Sequence, residues 1–397
     1  MTNMTQAQEA LKIFYLPGLQ YQLNIANPIL AVMDRDQKSV VGSEIRMALR
    51  YGRHGGIGNR TDDGDLPTPR SRQTKQAKWE TKNIFGHIQI SDKTMRASRG
   101  DGAFLSLLEA DLEDALNDAK DDLERQLFGD STGKMATCGV TTASNNVVVD
   151  DTKFFAEGQI VDIVVAATGI VLASNREITL VDDSNSTITI TGAPVTTSST
   201  EIVTRAGNFG LELTGLESIF TPDNTLYGIN RAQNKWFNPT VINNVGTISE
   251  VRIQEAIDEA DRRAGGKVSL MATTYGVRRA YQELILATKR TTDTMTLKGG
   301  YDVLLYNNKP MTVSKYAPEG VLYGLDMDTF KLYHIMDWNW LDEDGAILSR
   351  VPNKPVWSAI LARVPNKPVW SAILARYMDL GMNKPAGSFK MSGITEA

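Results

Sequence analysis

Residues whose side chains could bind phosphate or calcium occur in two short segments. Gly129–Met135 reads GDSTGKM, and glycine-rich loops of this kind bind phosphate through backbone amides and a lysine. The spacing differs from that pattern, no Ser or Thr follows Lys134, and a predicted helix precedes the segment instead of a strand. Asp62, Asp63 and Asp65 offer oxygen ligands for calcium, but the calcium-loop pattern with its closing glutamate is absent. We therefore predict no nucleotide site in the first segment and a solvated turn in the second.

The histidines and the single cysteine lack the neighbours that catalysis or metal binding requires. His54, His87 and His334 are not spaced as metal ligands, and Cys138 lies in a turn rich in Thr and Gly without an adjacent base. One cysteine also excludes a disulfide within the chain, which is typical of a reducing compartment. Neither G-x-S-x-G nor H-E-x-x-H occurs. The sequence therefore predicts no enzyme, no cofactor and no metal site.

Composition and charge narrow the class of protein further. The chain has 397 residues, 42% hydrophobic and 22% charged, which is ordinary for a soluble protein of two or three modules. The net charge of −5 argues against a dedicated nucleic-acid binder, although it leaves room for basic patches. The most apolar stretch, Ile160–Ala173, is short and is interrupted by Asp162 and Gly169. We expect neither a membrane span nor a signal peptide.

The pattern next predicts a long β-hairpin with a basic tip. The first arm, Glu44–Tyr51, alternates apolar and polar residues as a half-buried strand does, and the return arm covers Lys78–Ile90. Nine basic and four acidic residues lie from Arg46 to Lys82. A two-stranded ribbon alone is only marginally stable in water, so this one needs another surface. Two interpretations remain open: a solvated loop, or an arm that grips an acidic neighbouring molecule.

An acidic amphipathic helix follows the hairpin. It begins near Ser91 or after Gly102 and runs to Phe128, where Gly129 is the expected C-terminal stop. A helix of about 28 residues would be roughly 40 Å long, which is longer than a small domain is wide. We therefore expect a spine and not a local element. Its apolar stripe consists of Leu105, Leu108, Leu112, Ala115, Ala119, Leu123 and Leu127.

Two further modules follow the helix. Short β-branched runs separated by turn residues, from Val140 to Arg205, predict a small inserted barrel or sandwich. From Asn208 to Phe330 the pattern is mixed α/β. A capping box at Thr247–Glu250 is expected to open one helix, and a second helix is expected over Thr274–Thr288.

The C-terminal region contains an identical tandem repeat. Arg350–Ala362 and Arg363–Ala375 both read RVPNKPVWSAILA. Two such short copies cannot form a solenoid, so we interpret the repeat as a duplication without a function of its own. Because the offset is odd, two copies in one continuous strand would face opposite sides of a sheet. We predict that the second copy forms the strand leading into Tyr377–Leu380, and that the first is looped out or lies on an edge.

The order of these modules resembles that of the major capsid proteins of tailed bacteriophages, which have the Hong Kong 97-like fold. The helix end Leu127–Gly133 (LFGDSTG) is similar to a Leu-Tyr/Phe-Gly-Asp-x-x-Gly turn that is common in that family. Phe85–Lys93, Leu213–Phe220 and Gly299–Tyr301 also resemble segments of the family. The resemblance covers residues 13 to 390 and depends on the order of the motifs more than on any one of them.

The resemblance implies an α+β chain with a defined set of parts. These are an N-terminal arm (1–42), an extended hairpin or E-loop (43–90), the spine helix of a peripheral domain (91–139), a β-rich insertion (140–206), a mixed α/β axial domain (207–335) and a return to the peripheral domain (336–397) that carries the repeat (350–375). The N-terminus does not resemble a fused scaffolding region, which implies a separate scaffolding protein.

The implied function is self-assembly into the icosahedral shell of a virion around double-stranded DNA, without readout of the DNA sequence. The implied partners are further copies in hexamers and pentamers, the scaffolding protein, a portal and, where one exists, a decoration protein. Assembly is expected in the host cytoplasm. Two alternatives stay open: an encapsulin-like compartment shell and, from another class, a β-rich adhesin or sugar-binding module.

Both the hairpin and the helix are expected to contact neighbouring subunits. The predicted hairpin contacts are Arg46, Leu49, Arg50, Tyr51, Arg53, Arg60, Arg70, Arg72, Lys75, Lys78 and Trp79. The predicted acidic residues of the helix are Glu109, Glu113, Asp118 and Asp122. Exposed ion pairs contribute only about 0–1 kcal/mol each, so the apolar ribbon face, with Ile45, Leu49, Tyr51 and Trp79, should carry more of the contact. The tip, Arg53–Lys75, should project with few contacts to its own subunit.

Overall fold

The protein is a mixed α and β chain with many strands and few helices. A computed structural model describes residues 29, 32–37, 39–54, 56–62, 64–65, 67–68, 71–91, 118–288, 294–296, 302–340, 362–363 and 369–397. In these ranges the α-helices are α1 (118–128), α2 (Leu216–Phe220), α3 (Glu250–Ala264) and α4 (Tyr275–Thr288). Short 3-10 helices cover Lys235–Phe237 and Pro385–Gly387. None of the described helices is long and apolar enough to cross a membrane.

Helix α1 ends where the sequence predicts. Its last residue is Phe128, and the Gly129 amide donates to the Gln126 carbonyl at 3.1 Å. Leu123 and Leu127 of the predicted apolar stripe are buried in the largest core. The other stripe residues, except Ala119, lie outside the described residues, as does the predicted start of the helix.

The predicted hairpin exists, but its return arm is displaced. Its ribbon is antiparallel and comprises β2 (Val40–Val41), β3 (Glu44–Arg50) and β4 (Thr74–Glu80). The return strand thus begins and ends earlier than the predicted Lys78–Ile90. The Thr81 amide donates to the Ser43 carbonyl at 3.0 Å and closes the ribbon. The chain then enters β5 (Lys82–Ser91), where a long partner strand elsewhere satisfies its backbone groups.

That partner belongs to a C-terminal sheet. The sheet contains β1 (Asp34–Asp36), β22 (Phe330–Trp340), β23 (Ala362–Arg363), β24 (Val369–Met382) and β5. β24 lies between β22 and β5 and pairs with both. Its Ala375, for example, is opposite Asn339 of β22 on one side and Phe85 of β5 on the other. The second repeat copy therefore supplies the strand that leads into Tyr377, as predicted. Residues 350–361 of the first copy lie outside the described residues, and its last residue, Ala362, pairs with Ser371 at the edge.

Residues 134–205 form a β module with its own core. Its strands are β6 (Lys134–Thr137), β7 (Thr141–Ser144), β8 (Asn146–Val148), β9 (Ile160–Val165), β10 (Val171–Asp182), β11 (Thr187–Ile190), β12 (Val195–Thr197) and β13 (Glu201–Arg205). Six of them form one sheet in the order β6-β13-β9-β10-β11-β8, and β7 pairs with β12. The inward side chains, such as Val161, Ile163, Ile178 and Ile188, are buried together. The predicted β-branched runs coincide with strands of this module.

The remaining residues build a seven-stranded mixed sheet with α3 and α4. Its strands, in spatial order, are β16 (Thr240–Ile242), β25 (Phe389–Met391), β21 (Leu322–Leu325), β17 (Leu270–Thr273), β20 (Lys309–Val313), β19 (Asp302–Tyr306) and β18 (Thr294–Thr296). A small hairpin joins β14 (Thr225–Leu226) to β15 (Ile229–Asn230).

The predicted capping box at the start of α3 is wrong in register. Ser249, in extended conformation, is the N-cap, and its hydroxyl accepts a hydrogen bond from the Arg252 amide at 3.2 Å. At the other end, Gly265 adopts φ +61°, a left-handed conformation that closes the helix and favours glycine.

Candidate assembly surface

The ribbon of β3 and β4 has two chemically different faces. Ile45, Leu49 and Ala77 point inward and are buried, whereas Arg46 and Arg50 point outward and are exposed. The pairing of Ile45 with Trp79 and of Leu49 with Lys75 keeps the alternation of both strands in phase. The ribbon therefore presents a basic outer face and an apolar inner face.

The inner face is covered by the protein's own chain. The Trp79 ring lies 4.1 Å from the Tyr227 ring, centroid to centroid, and meets the Tyr333 ring edge-on at 5.6 Å. The Lys78 amide also donates to the Tyr227 carbonyl at 2.9 Å. The expectation that Ile45 and Leu49 contact a neighbouring subunit is therefore wrong, because both side chains are already buried within their own subunit. Trp79 is covered by Tyr227 and Tyr333 but stays partly exposed.

The base of the loop is held in place as well. The Tyr51 ring stacks on the Trp236 ring, with centroids 5.1 Å apart and planes 13° apart. The Lys75 ammonium donates to Asn234 Oδ1 at 2.6 Å. These contacts anchor both ends of the loop between β3 and β4 to residues 234–236, so Tyr51 and Lys75 support the loop from within the subunit.

One carboxylate balances part of the basic outer face. Glu44 Oε1 lies 2.6 Å from Lys78 Nζ, and Glu44 Oε2 lies 2.6 Å from Arg46 Nη2. Hydrogen bonds from Lys78 and then Arg46 lower the pKa of Glu44. Arg46 and Lys78 are directly opposite in the ribbon, and Glu44 offsets their repulsion. The structure thus brings these two predicted contact residues together, and both stay exposed.

The loop beyond Tyr51 and Gln73 is exposed, as expected for its tip. Arg53, Arg60 and Arg72 are exposed and form no ion pair with another described residue. Arg60 donates to the carbonyls of Asp65 and Asn59, both at 2.9 Å. Arg70 lies outside the described residues. Most of the described tip residues are thus exposed, as predicted, apart from the anchored end at Lys75, and the projection of the tip stays a prediction.

The acidic face of α1 is mostly occupied by the protein's own cations. Asp122 Oδ1 lies 3.0 Å from Arg125 Nη2 and 3.1 Å from Arg205 Nε, and Arg125 also pairs with Glu212. Burial alone lowers the pKa of Arg125, but Asp122 and Glu212 outweigh it and leave that pKa raised. Burial raises the pKa of Glu212 despite Arg125.

The Asp122 carboxylate is therefore not available to contact a neighbouring subunit, contrary to the prediction. It is buried, and its charge is compensated within the chain. Asp121 likewise pairs with Lys315 at 2.9 Å. Asp118 is exposed and stays a candidate, and Glu109 and Glu113 lie outside the described residues.

The two segments that resemble capsid motifs on either side of the β module meet at the end of α1. A Cβ on Gly215 would come within 2.2 Å of the Gly129 carbonyl oxygen, so only glycine allows this approach. The Gly210 amide donates to the Thr132 carbonyl at 2.9 Å. No pattern in the sequence indicates that these segments touch.

A groove opens beside this junction, and sequence reasoning did not identify it. It encloses about 1030 Å³ between the start of β5, α1 and residues 205–214. Three of its lining side chains are large, apolar and exposed: Leu211 at 62%, Ile160 at 53% and Phe85 at 43%. In its floor, Asp379 accepts hydrogen bonds from the amides of Thr214 and Leu380, both at 2.8 Å. Burial raises the pKa of Asp379 to about 6.

The described residues offer neither a metal site nor a reactive cysteine. Among the described residues, no group of three or more His, Cys, Asp or Glu side chains could hold a metal ion. Cys138 is buried, and burial raises the pKa of its thiol to about 12, which suppresses the nucleophilic thiolate.

Structural comparison identifies the fold. A chain of the cyanophage A-1(L) capsid asymmetric unit aligns over 94% of this chain and 93% of its own length, with a TM-score of 0.58 and 11% identity. The chain has a phage-capsid fold. No protein-family model and no curated protein matches the sequence. The resemblance to tailed-phage capsid proteins is thereby confirmed at the level of the fold.

Other similar structures are also shell components. The SrpI encapsulin of Synechococcus elongatus PCC 7942 aligns over 93% of this chain and 88% of its own, with a TM-score of 0.48 and 8% identity. The capsid of the native GTA particle aligns over 93% and 90%, with a TM-score of 0.48 and 7% identity.

Proposed function

We propose that this protein is the major capsid protein of a tailed bacteriophage, with the Hong Kong 97-like architecture, and that it has no enzymatic activity. The observation that carries the proposal is the match to the cyanophage A-1(L) capsid over nearly the whole of both chains. A match of this extent concerns the overall arrangement of the chain and not one shared motif.

The proposed parts follow the predicted division with three changes: the hairpin ends at Glu80, the insertion begins at Lys134, and Phe389–Met391 joins the seven-stranded sheet instead of the peripheral domain. The ribbon and its loop, now bounded by Glu44 and Glu80, would be the extended E-loop. β5 would belong to the peripheral domain, because it pairs with β24. Residues 134–205 would be the insertion, and the seven-stranded sheet the axial domain.

Assembly would depend on contacts that run from one copy to the next. A head-to-tail contact closes a ring when its rotation is a whole fraction of a turn, which is how hexamers and pentamers arise. Since the inner face of the ribbon is occupied, its basic outer face and the exposed loop supply the intermolecular surface. Exposed charge pairs contribute about 0–1 kcal/mol each, and weak contacts of this kind allow misplaced subunits to dissociate.

The shell would enclose double-stranded DNA without reading its sequence. The net charge of −5 supports this, because strong attraction to phosphate would hinder both packing and release. The separate scaffolding protein, the portal and any decoration protein are proposed on the family resemblance alone.

The decisive experiment is coexpression with the neighbouring scaffold gene product, followed by electron microscopy and analysis of the contents. Regular shells that acquire DNA during infection would support the capsid assignment. Shells that contain only protein cargo would support the encapsulin alternative. A monomer that binds glycans through an isolated 134–205 segment would instead favour the adhesin alternative.

A further inference from the structure

Ile57 is the most exposed large hydrophobic side chain of the described residues. It is 84% exposed and lies in the loop between β3 and β4, with Gly56 and Gly58 on either side. Almost all of this large apolar side chain is in contact with water, so burying it against a partner would be favourable in free energy. The nearest charged residues along the chain are Arg53 and Arg60, and no carboxylate lies between them.

The groove beside α1 has the complementary properties. Its exposed apolar residues, Phe85, Ile160 and Leu211, can bury an apolar side chain. Of the four carboxylates in its lining, Asp122 and Glu212 are buried and paired with Arg125, and Asp379 is buried, so Glu80 is the one that a cation from outside can reach. Glu80 is exposed and forms no ion pair with another described residue, so it remains available for a cation.

We propose that Ile57 of one copy inserts into the Phe85–Ile160–Leu211 groove of a second copy, with Arg53 and Arg60 beside Glu80. This inference rests on the proposed shell function and adds its contact residues. A second copy fits the groove because the loop of the same chain carries the matching apolar side chain and cations. The loop and the groove are different surfaces, and heterologous contacts of this kind generate rings. An apolar anchor in a groove, ringed by charges, is the usual arrangement of residues that dominate interface energetics.

The first test is chemical cross-linking between two single-substitution variants. Ile57→Cys and Leu211→Cys proteins are mixed, assembled and treated with a short bismaleimide. Cys138 is buried, so the native thiol gives little background. Dimers containing one chain of each variant are expected. Val251→Cys is the matched control partner, because Val251 is 77% exposed but lies on α3, away from the groove lining.

The outcomes separate this inference from the proposed function. If wild-type protein forms no shells, the shell function fails and the inference fails with it. If shells form but Ile57→Cys cross-links no better to Leu211→Cys than to Val251→Cys, the inference alone is overturned, and another segment occupies the groove.

A second test measures assembly directly. Ile57→Asp should raise the concentration needed for assembly about tenfold or more, since a central apolar anchor would be lost. Val251→Asp should change it little. A charge exchange, Arg53→Glu with Glu80→Arg, should recover part of the loss that either single change causes. Unchanged assembly of Ile57→Asp would contradict the proposal.

Discussion

At the C-terminal end of α1, one arginine compensates two buried carboxylates. Arg125 is the only described cation that pairs with both Asp122 and Glu212, while Arg205 reaches only Asp122, as an ion pair. Removing one partner of a buried ionic group leaves an uncompensated charge, which costs about 3–5 kcal/mol. We expect Arg125→Ala to lower the free energy of unfolding by that amount, as measured by urea denaturation.

The matched control is Arg252→Ala. Like Arg125, Arg252 pairs with a carboxylate one helical turn away. Its partner is Glu255, and both of these side chains are exposed. Its loss should change the free energy of unfolding by less than about 1 kcal/mol. Equal effects of the two substitutions would mean that burial does not determine the energetics of the Arg125 cluster.

Asp379 gives the groove floor a pH dependence of defined sign. Burial raises its pKa to about 6, and hydrogen bonds from Thr214 and Leu380 only partly oppose this. The contribution of Asp379 to stability is therefore fully present below the usual Asp pKa near 4, and is lost as the pH rises through about 6. The difference in unfolding free energy between wild type and Asp379→Asn should fall by about 3 kcal/mol from pH 4 to pH 8. A difference that is flat with pH would contradict the raised pKa.

The sequence patterns predict the type and the ends of helices and strands better than they predict the surfaces against which these elements pack. The alternation in Glu44–Tyr51 correctly predicted a half-buried strand, and Leu123 and Leu127 correctly predicted the buried side of α1. Neither pattern indicates which residues elsewhere in the chain cover the apolar face of the strand or of the helix. Tyr227 and Tyr333, which bury Trp79, lie far along the chain. For the same reason the sequence pattern places Lys78–Ile90 in the ribbon, whereas β5 pairs with β24.

The tandem repeat provides a test of which copy forms a strand. Residues 369–375 of the second copy lie in β24, where Ile373 pairs with His87. Ile373→Pro removes a backbone donor inside that strand and should destabilise the protein by about 1–3 kcal/mol. Tolerance of Ile373→Pro would show that the first copy, which carries Ile360 at the same position, can replace the second.

Deleting one copy is the complementary experiment. Removal of residues 350–362 and removal of 363–375 give the same sequence, so a single variant tests the repeat. Because one copy still supplies β24, the free energy of unfolding should change by only about 1 kcal/mol, mainly through the shorter connection between β22 and β24. Hydrogen exchange of the β5 amides should stay as slow as in the wild type. Rapid exchange there would mean that β24 needs both copies.

At the scale of the whole molecule, the structure separates folding from assembly. Trp79, Tyr51 and Lys75 fix the ribbon to its own subunit, whereas most of the described residues from Arg53 to Arg72 are exposed. Replacing residues 53–72 by a short glycine-rich turn should therefore leave the unfolding transition nearly unchanged. It should abolish closed shells, since the surface that reaches a second copy is lost. Sedimentation and electron microscopy of the same preparation measure both properties.

Ionic strength distinguishes the charged part of that contact from the apolar part. Exposed charges more than about 8 Å apart are screened at 0.15 M salt, so the contribution of Arg53, Arg60 and Arg72 should weaken as salt is raised. Burial of Ile57 should not weaken, because apolar burial does not depend on Coulomb attraction. Shells assembled from Ile57→Asp should therefore dissociate at lower salt than wild-type shells, because only the screened charges remain. Shells of normal size and salt resistance from the loop-replacement variant would show that assembly uses another surface altogether.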